Sequence, residues 1–275
     1  MNFLQLFETS LIFAIFSLDS LVAADCLDTS PKPFLVPLSN CTIPPNSNFP
    51  DGVDSWGVYL NIAGQQLCAV PSLVVNNTVI TETELCTNDH TSDLAQCISR
   101  RGGTFNFEEP TSSYSNISVE SLAPDLVWDS FNPPFGGAGN ATAQFSSDIS
   151  IPHLPIAIAL EGQNLNANQL GLANDSVVLH SFVSNGLSSS TSFGLFAGSQ
   201  SILGPRDGHI VFGGFDAALI DGPFTNYSMS NTTTAGSRVC SLEVVVKQLT
   251  LRRPGVANDV QLLSEGILMP SCIEP

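Results

Sequence analysis

Three sets of residues in this 275-residue chain have the types and spacing to do chemistry. The first is a run of seven Asn-x-Ser/Thr triplets, at Asn40, Asn76, Asn116, Asn140, Asn174, Asn226 and Asn231. Each matches the acceptor pattern for N-glycosylation, and each marks surface, because a glycan cannot sit in a core. The second is the seven cysteines, an odd number that leaves one without a partner inside the chain. Cys86 and Cys97 flank a polar loop, TNDHTSDLAQ, and are the best pair for a disulfide. Cys26 with Cys41 is a further pairing that spacing alone leaves open. Cys68, in an apolar run, suggests a buried free thiol, and the partner of Cys272 is expected outside the chain. The third is the passage GHIVFGGFDAALIDG, Gly208 to Gly222. Its apolar run favours a strand, Gly213-Gly214 permits a bend, and Asp216 and Asp221-Gly222 are turn chemistry.

Other chemistries are absent from the pattern. His90, His153, His180 and His209 are scattered without ligand spacing, so no metal is expected, and neither is any other cofactor. Ser72, Ser199 and Ser201 have no His/Asp partners at recognisable positions. Net charge is −17 with eight basic residues, which argues against nucleic acid and anionic membrane surfaces, since phosphate contacts need clustered Lys and Arg.

The elements that must position these residues are mostly strands. Residues 1–24 read as a signal peptide: Leu11 to Leu18 is a short apolar core, too short to span a membrane, and Val22-Ala23-Ala24 offers small residues before a cut after Ala24. A Pro- and Asn-rich lead-in over residues 25–50 is expected to be extended and mostly irregular. Strand candidates follow at GVYLNIA, QQLCAV, NNTVI, ATAQFSSDISI, LPIAIAL, TSFGLFAG and GHIVFGG, with NPPFGGAGN reading as unstructured. One helix stands out, capped by Asn174 or Asp175, with Val178/Phe182 and Leu179/Val183 four apart and Asn185-Gly186 at its end. Beyond it Leu242, Val244 and Val246 alternate, as do Leu249 and Leu251. The fold class is all-β, as one large domain or two lobes.

In order along the chain, several of these passages resemble the pepsin-type aspartic peptidases, in particular the secreted, glycosylated fungal branch. WGVYLNIAGQQLCAV is similar to the strand-turn-strand that feeds the first catalytic strand, with Ile62-Ala63-Gly64-Gln65-Gln66 as a shortened turn. CISRRGGTFNFEEPTSSYSNIS resembles the passage that follows it. NQLGLANDSVVLHSFVSNGLSSSTSFGLF is similar to the turn, helix and strand closing the first lobe, and GHIVFGGFD to a segment of the sheet that joins the lobes. The resemblance implies a pepsin-like bilobal fold, with residues 51–220 as a complete first lobe and 221–275 as the start of a second, truncated one.

That family needs two aspartates, one per lobe, sharing a proton across a water. Matching Thr78-Val79-Ile80 to the family's strand places the first near Ser72, yet no acidic residue occurs from Leu67 to Thr81. The second falls at Glu274, followed by Pro275 in place of the hydroxyl residue; an ordinary surface glutamate is the alternative reading. No convincing flap tyrosine occurs over residues 125–148; Tyr114 lies upstream and Phe145 has no hydroxyl. Losing one member of a catalytic unit costs on the order of 10⁴–10⁶ in rate. The expectation is a secreted or cell-surface glycoprotein, catalytically silent and monomeric, binding a peptide or polymer in the cleft between lobes. The alternatives are an active aspartic endopeptidase whose longer form supplies the motifs, and a structural surface glycoprotein.

Overall fold

Short apolar runs broken by Gly, Pro and Asn fold here as strands. The computed structural model describes residues 31–45, 51–87, 93–107, 113–123, 136–159, 167–198, 204, 206–220 and 223, together with short strands and their flanks between residues 233 and 272. Ten strands form one sheet: β1 (Phe34–Ile43), β2 (Val53–Ile62), β3 (Gln65–Ser72), β4 (Thr78–Thr81), β5 (Tyr114–Asn116), β6 (Gly137–Gln144), β7 (Ser150–Ala159), β8 (Gln169–Gly171), β9 (Phe193–Phe196) and β10 (Gly208–Phe212). Their order is β5-β6-β7-β4-β8-β3-β2-β1-β10-β9. Helices are few: α1 (Thr83–Thr87), α2 (Leu94–Arg101) and α3 (Val177–Ser184), with two 3₁₀ turns among the described residues. Further on, β11 (Thr233–Thr234) pairs with β12 (Arg238–Val239), β13 (Glu243–Val246) with β16 (Met269–Cys272), and β14 (Thr250–Leu251) with β15 (Val260–Gln261). The described residues are mostly β-sheet with few helices, as the succession of short strand candidates and turn signals leads one to expect.

The sheet curls back on itself. Asn61 and Ile62 at the end of β2 pair with Gln144 and Ala143 of β6, which closes a ring through β3, β8, β4, β7 and β6. The tight β2–β3 hairpin is made by Ala63 and Gly64, both at positive φ (51° and 92°), and the Asn61 side-chain oxygen accepts the Gly64 N–H at 2.8 Å. Positive φ at both turn residues matches the right-handed twist of the strands they join. The core holds Leu60, Ile62, Leu67, Ile80, Phe105, Ile151, Leu154, Ile156 and Leu170, all essentially inaccessible. A smaller cluster of Val75, Val79, Leu85, Ala157 and Ala159 lies apart from it.

The lead-in does not stay irregular. Residues 34–43 form β1, whose first half pairs with β10 and second half with β2. The alternation of buried Val36 and Leu38 supplies the reason, since a strand can bury one face between neighbours. Pro37 falls in the half with β10 as its one described neighbour, where a strand tolerates a missing ladder donor. Gly137 to Asn140, expected to be unstructured, are the start of β6: with little or no side chain, Gly137, Ala138 and Gly139 let it pass between β5 and β7.

The predicted helix is α3, but its cap is Ser176, not Asn174 or Asp175. The Ser176 Oγ accepts the Leu179 N–H at 3.2 Å and donates to the Gly171 carbonyl at 2.6 Å. Val178, Leu179 and Phe182 are buried, while Val183 faces solvent. Asn185 ends the helix and Gly186 follows at φ 67°. Phe182 is the hub of an aromatic cluster, with ring centroids 5.0 Å from Phe34, 5.0 Å from Phe145 and 4.8 Å from Phe212. That cluster joins α3 to β1 and β10 and to the end of β6.

Cys86 and Cys97 form the expected disulfide. Cys86 sits in α1 and Cys97 in α2, whose buried face is Cys97 and Ile98, and residues 88–92 of the expected loop between them lie outside the described residues. Cys68 is not a free thiol and Cys41 does not need Cys26. The two are bonded to each other, Cα atoms 5.9 Å apart. Cys41 lies on β1 and Cys68 on β3, the strands flanking β2, and the bridge crosses β2 at Gly57. A Cβ on Gly57 would come within 2.9 Å of the Cys68 sulfur and 2.6 Å of the Ala69 oxygen.

Candidate functional site

Ser72 ends β3, 8% exposed, where the chain turns toward β4. It pairs in parallel with Gly171, and its carbonyl accepts the Leu172 N–H at 2.8 Å. β8 thus slots between β3 and β4, parallel to the first and antiparallel to the second. Gly171 makes the insertion feasible: a Cβ there would lie 2.5 Å from the Asn77 carbonyl. The bend from β3 to β4 is bolted to the start of α3. The Asn76 Oδ1 accepts the Asp175 N–H at 2.9 Å, the Asn76 carbonyl accepts Val177 N–H at 2.9 Å, and Val75 accepts Ala173 N–H at 3.1 Å. Asn77, wholly buried, clasps Ala123 through both side-chain atoms at 2.7 and 3.1 Å. The result is a strand end tied to α3, with Ser72 buried at it. No Asp, Glu or His occurs in β3, the bend or β4. A serine alone, without a base, does not activate water.

Glu274, the other predicted position, lies outside the described residues, as do Asn226, Asn231, His90, Ser199 and Ser201. Of the remaining sequon asparagines, Asn40, Asn116 and Asn174 are exposed, and Asn76 and Asn140 are half-buried. Phe145, in the region where a flap is expected, is 6% exposed within the aromatic cluster. Among the described residues no group of three His, Cys, Asp or Glu could hold a metal ion.

A second arrangement was not singled out by motif. Immediately after β4, Glu82 and Glu84 face an open groove of about 540 Å³ that Phe107, Tyr114 and Asn116 also line. The backbone of Glu82 is fixed by its N–H to the Ala159 carbonyl, 3.1 Å, and by a bridge to Phe105. Tyr114 packs its ring on the bare face of Gly139, where a Cβ would collide with the ring. Its ring centroid lies 5.5 Å from that of Phe105, tilted, and 5.4 Å from that of Phe107, edge to face. Partial burial pushes the Glu82 carboxyl above its ordinary range, and the charge of Glu84 adds to that. Burial, then the Glu82 charge, raises the Tyr114 hydroxyl. Chemically the groove offers carboxylates that accept hydrogen bonds and aromatic surface that stacks, and the described residues lining it include no cation. In the sequence the only signals were two acids flanking Thr83 and a tyrosine two residues before a sequon.

No family model matches this chain, and no curated protein matches it. Among solved structures it is similar to the aspartic proteinase of Irpex lacteus, at 13% identity and a TM-score of 0.40, over 75% of this chain. The chain spans 55% of the length of that proteinase.

Proposed function

We propose that this protein is a secreted or cell-surface glycoprotein with a peptidase-like β fold, catalytically silent, that acts by holding a peptide or polymer. On this reading residues 51–220 are the first lobe, the strands from residue 221 onward belong to a second, and the ligand lies between them. The observation that carries it is the end of β3. The ordered resemblance puts a catalytic aspartate near Ser72, and the segment from Leu67 to Thr81 holds no carboxylate. Without one, a proton-sharing pair cannot form. Two disulfides and three exposed sequon asparagines support export.

The test is hydrolysis of denatured globin by protein secreted from a eukaryotic host, across acid to neutral pH, with and without pepstatin. No turnover above a mock preparation is expected. Pepstatin-sensitive cleavage would overturn the inactive reading in favour of a working endopeptidase. A rise in melting temperature with pepstatin or a peptide panel, without turnover, is the expected mark of a retained ligand site. No shift with any of them would favour a purely structural glycoprotein.

A further inference from the structure

Asn116, the first residue of the Asn116-Ile117-Ser118 triplet, is itself part of the groove wall. The Tyr114 hydroxyl donates to its Oδ1 at 2.9 Å. That contact holds the amide by its oxygen and not by Nδ2, the atom that carries an N-glycan. Asn116 stands at the exposed end of β5, and Tyr114, Phe107, Glu82 and Glu84 line the same groove.

We propose that the groove is the seat of the protein's own glycan, the first N-acetylglucosamine on Asn116 folding back between the two rings and the two carboxylates. This inference rests on the glycoprotein reading above and goes beyond it. A pyranose has an apolar C–H face that lies on an aromatic ring, and hydroxyl and acetamido N–H donors that carboxylates accept. It is neutral, so it needs no cation in the wall. Ile117, Val119 and Ile158 offer apolar surface for the acetamido methyl. At about 540 Å³ the groove is of small-ligand size, within the ~300–1,000 Å³ usual for such sites. Weak contacts suffice, because a tethered sugar meets its site at an effective concentration on the order of millimolar.

The experiment uses the full chain secreted from a eukaryotic host. Glycopeptide mapping first reports occupancy at Asn116. Release of that glycan by peptide-N-glycosidase is then timed on native and denatured protein, for the parent and for a Tyr114→Phe/Glu84→Ala variant. Native release is expected to be several-fold faster in the variant than in the parent, with equal rates once both are denatured. In parallel, Ser118→Ala removes the sequon and keeps the Asn116–Tyr114 contact. Nitration of Tyr114 should be several-fold faster in that variant than in the glycosylated parent. An unoccupied Asn116 would overturn the inference and count against the glycoprotein reading at this site. An occupied Asn116 with equal release rates and equal Tyr114 nitration would overturn the inference alone and leave that reading standing.

Discussion

The side-chain oxygen of Asn168 accepts the backbone N–H of Thr81 at 2.8 Å, across 87 residues of chain. From the other end of the same amide, Nδ2 donates to the carbonyls of Cys68 (3.3 Å), Gly102 (3.3 Å) and Gly103 (3.0 Å). Asn168 is wholly buried, so this one side chain ties the end of β4 to β3 and to the turn closing α2. It ties together β3, which ends at Ser72, and β4, which leads into Glu82.

Asn168→Leu is therefore predicted to be among the costliest single changes. It takes the acceptor from the buried Thr81 N–H and a donor from three carbonyls, of which Gly102 keeps the Cys68 N–H at 2.7 Å, and a loss of roughly 2–5 kcal/mol is expected. Urea midpoints of parent and variant would measure it. A variant as stable as the parent would show that water or rearrangement satisfies these groups.

Gly102 is the companion prediction. It closes α2 at φ 78°, and a Cβ there would stand 2.2 Å from the Cys68 carbonyl oxygen. Gly102→Ala combines left-handed backbone strain with a clash against main chain, and a loss of about 1–3 kcal/mol or more is expected. Thermal unfolding would report it, and an unchanged melting temperature would rule it out.

The Cys41–Cys68 bridge closes a loop over a sequence separation of 27. Replacing both residues by Ala is predicted to cost roughly 2–4 kcal/mol through a looser unfolded chain. Non-reducing peptide mapping of protein purified from a secretory expression host should recover the two cysteines as one linked pair. Recovery of Cys68 as a free thiol would contradict the pairing.

Glu82 sets a pH dependence. Its folded carboxyl is raised above the unfolded value by burial and by Glu84, so the folded state holds the proton more tightly. The stability this contributes is full below the unfolded carboxyl range and is lost as pH rises through the folded value. Glu82→Gln should therefore match the parent at acid pH and melt higher than it near neutrality. Melting curves from pH 3 to 7 would test the sign, and a gap that narrows with rising pH would reverse it.

Local pattern was enough to determine much of this protein. Short apolar runs bounded by turn residues specified β2, β3, β7 and β10, because a strand buried between neighbours needs only a few consecutive apolar, β-favouring residues. The four-residue spacing of Val178 and Phe182 specified α3, and Asp216 does cap a short turn, its Oδ1 accepting the Ala218 N–H at 2.9 Å. The short separation of Cys86 and Cys97 was legible for the same reason, as was the lack of any acid near Ser72. What the tertiary structure alone decided joins residues that no window of sequence contains. Cys41 meets Cys68 because β1 and β3 flank a strand thinned by Gly57. β8 can enter between β3 and β4 because Gly171 lacks a Cβ. The groove joins Glu82 and Glu84 to β5, whose Tyr114 ring occupies the space a Cβ on Gly139 would fill. Each of these depends on the absence or placement of a single group against distant backbone. Strand periodicity and composition are blind to that, whereas packing in three dimensions is decided by it.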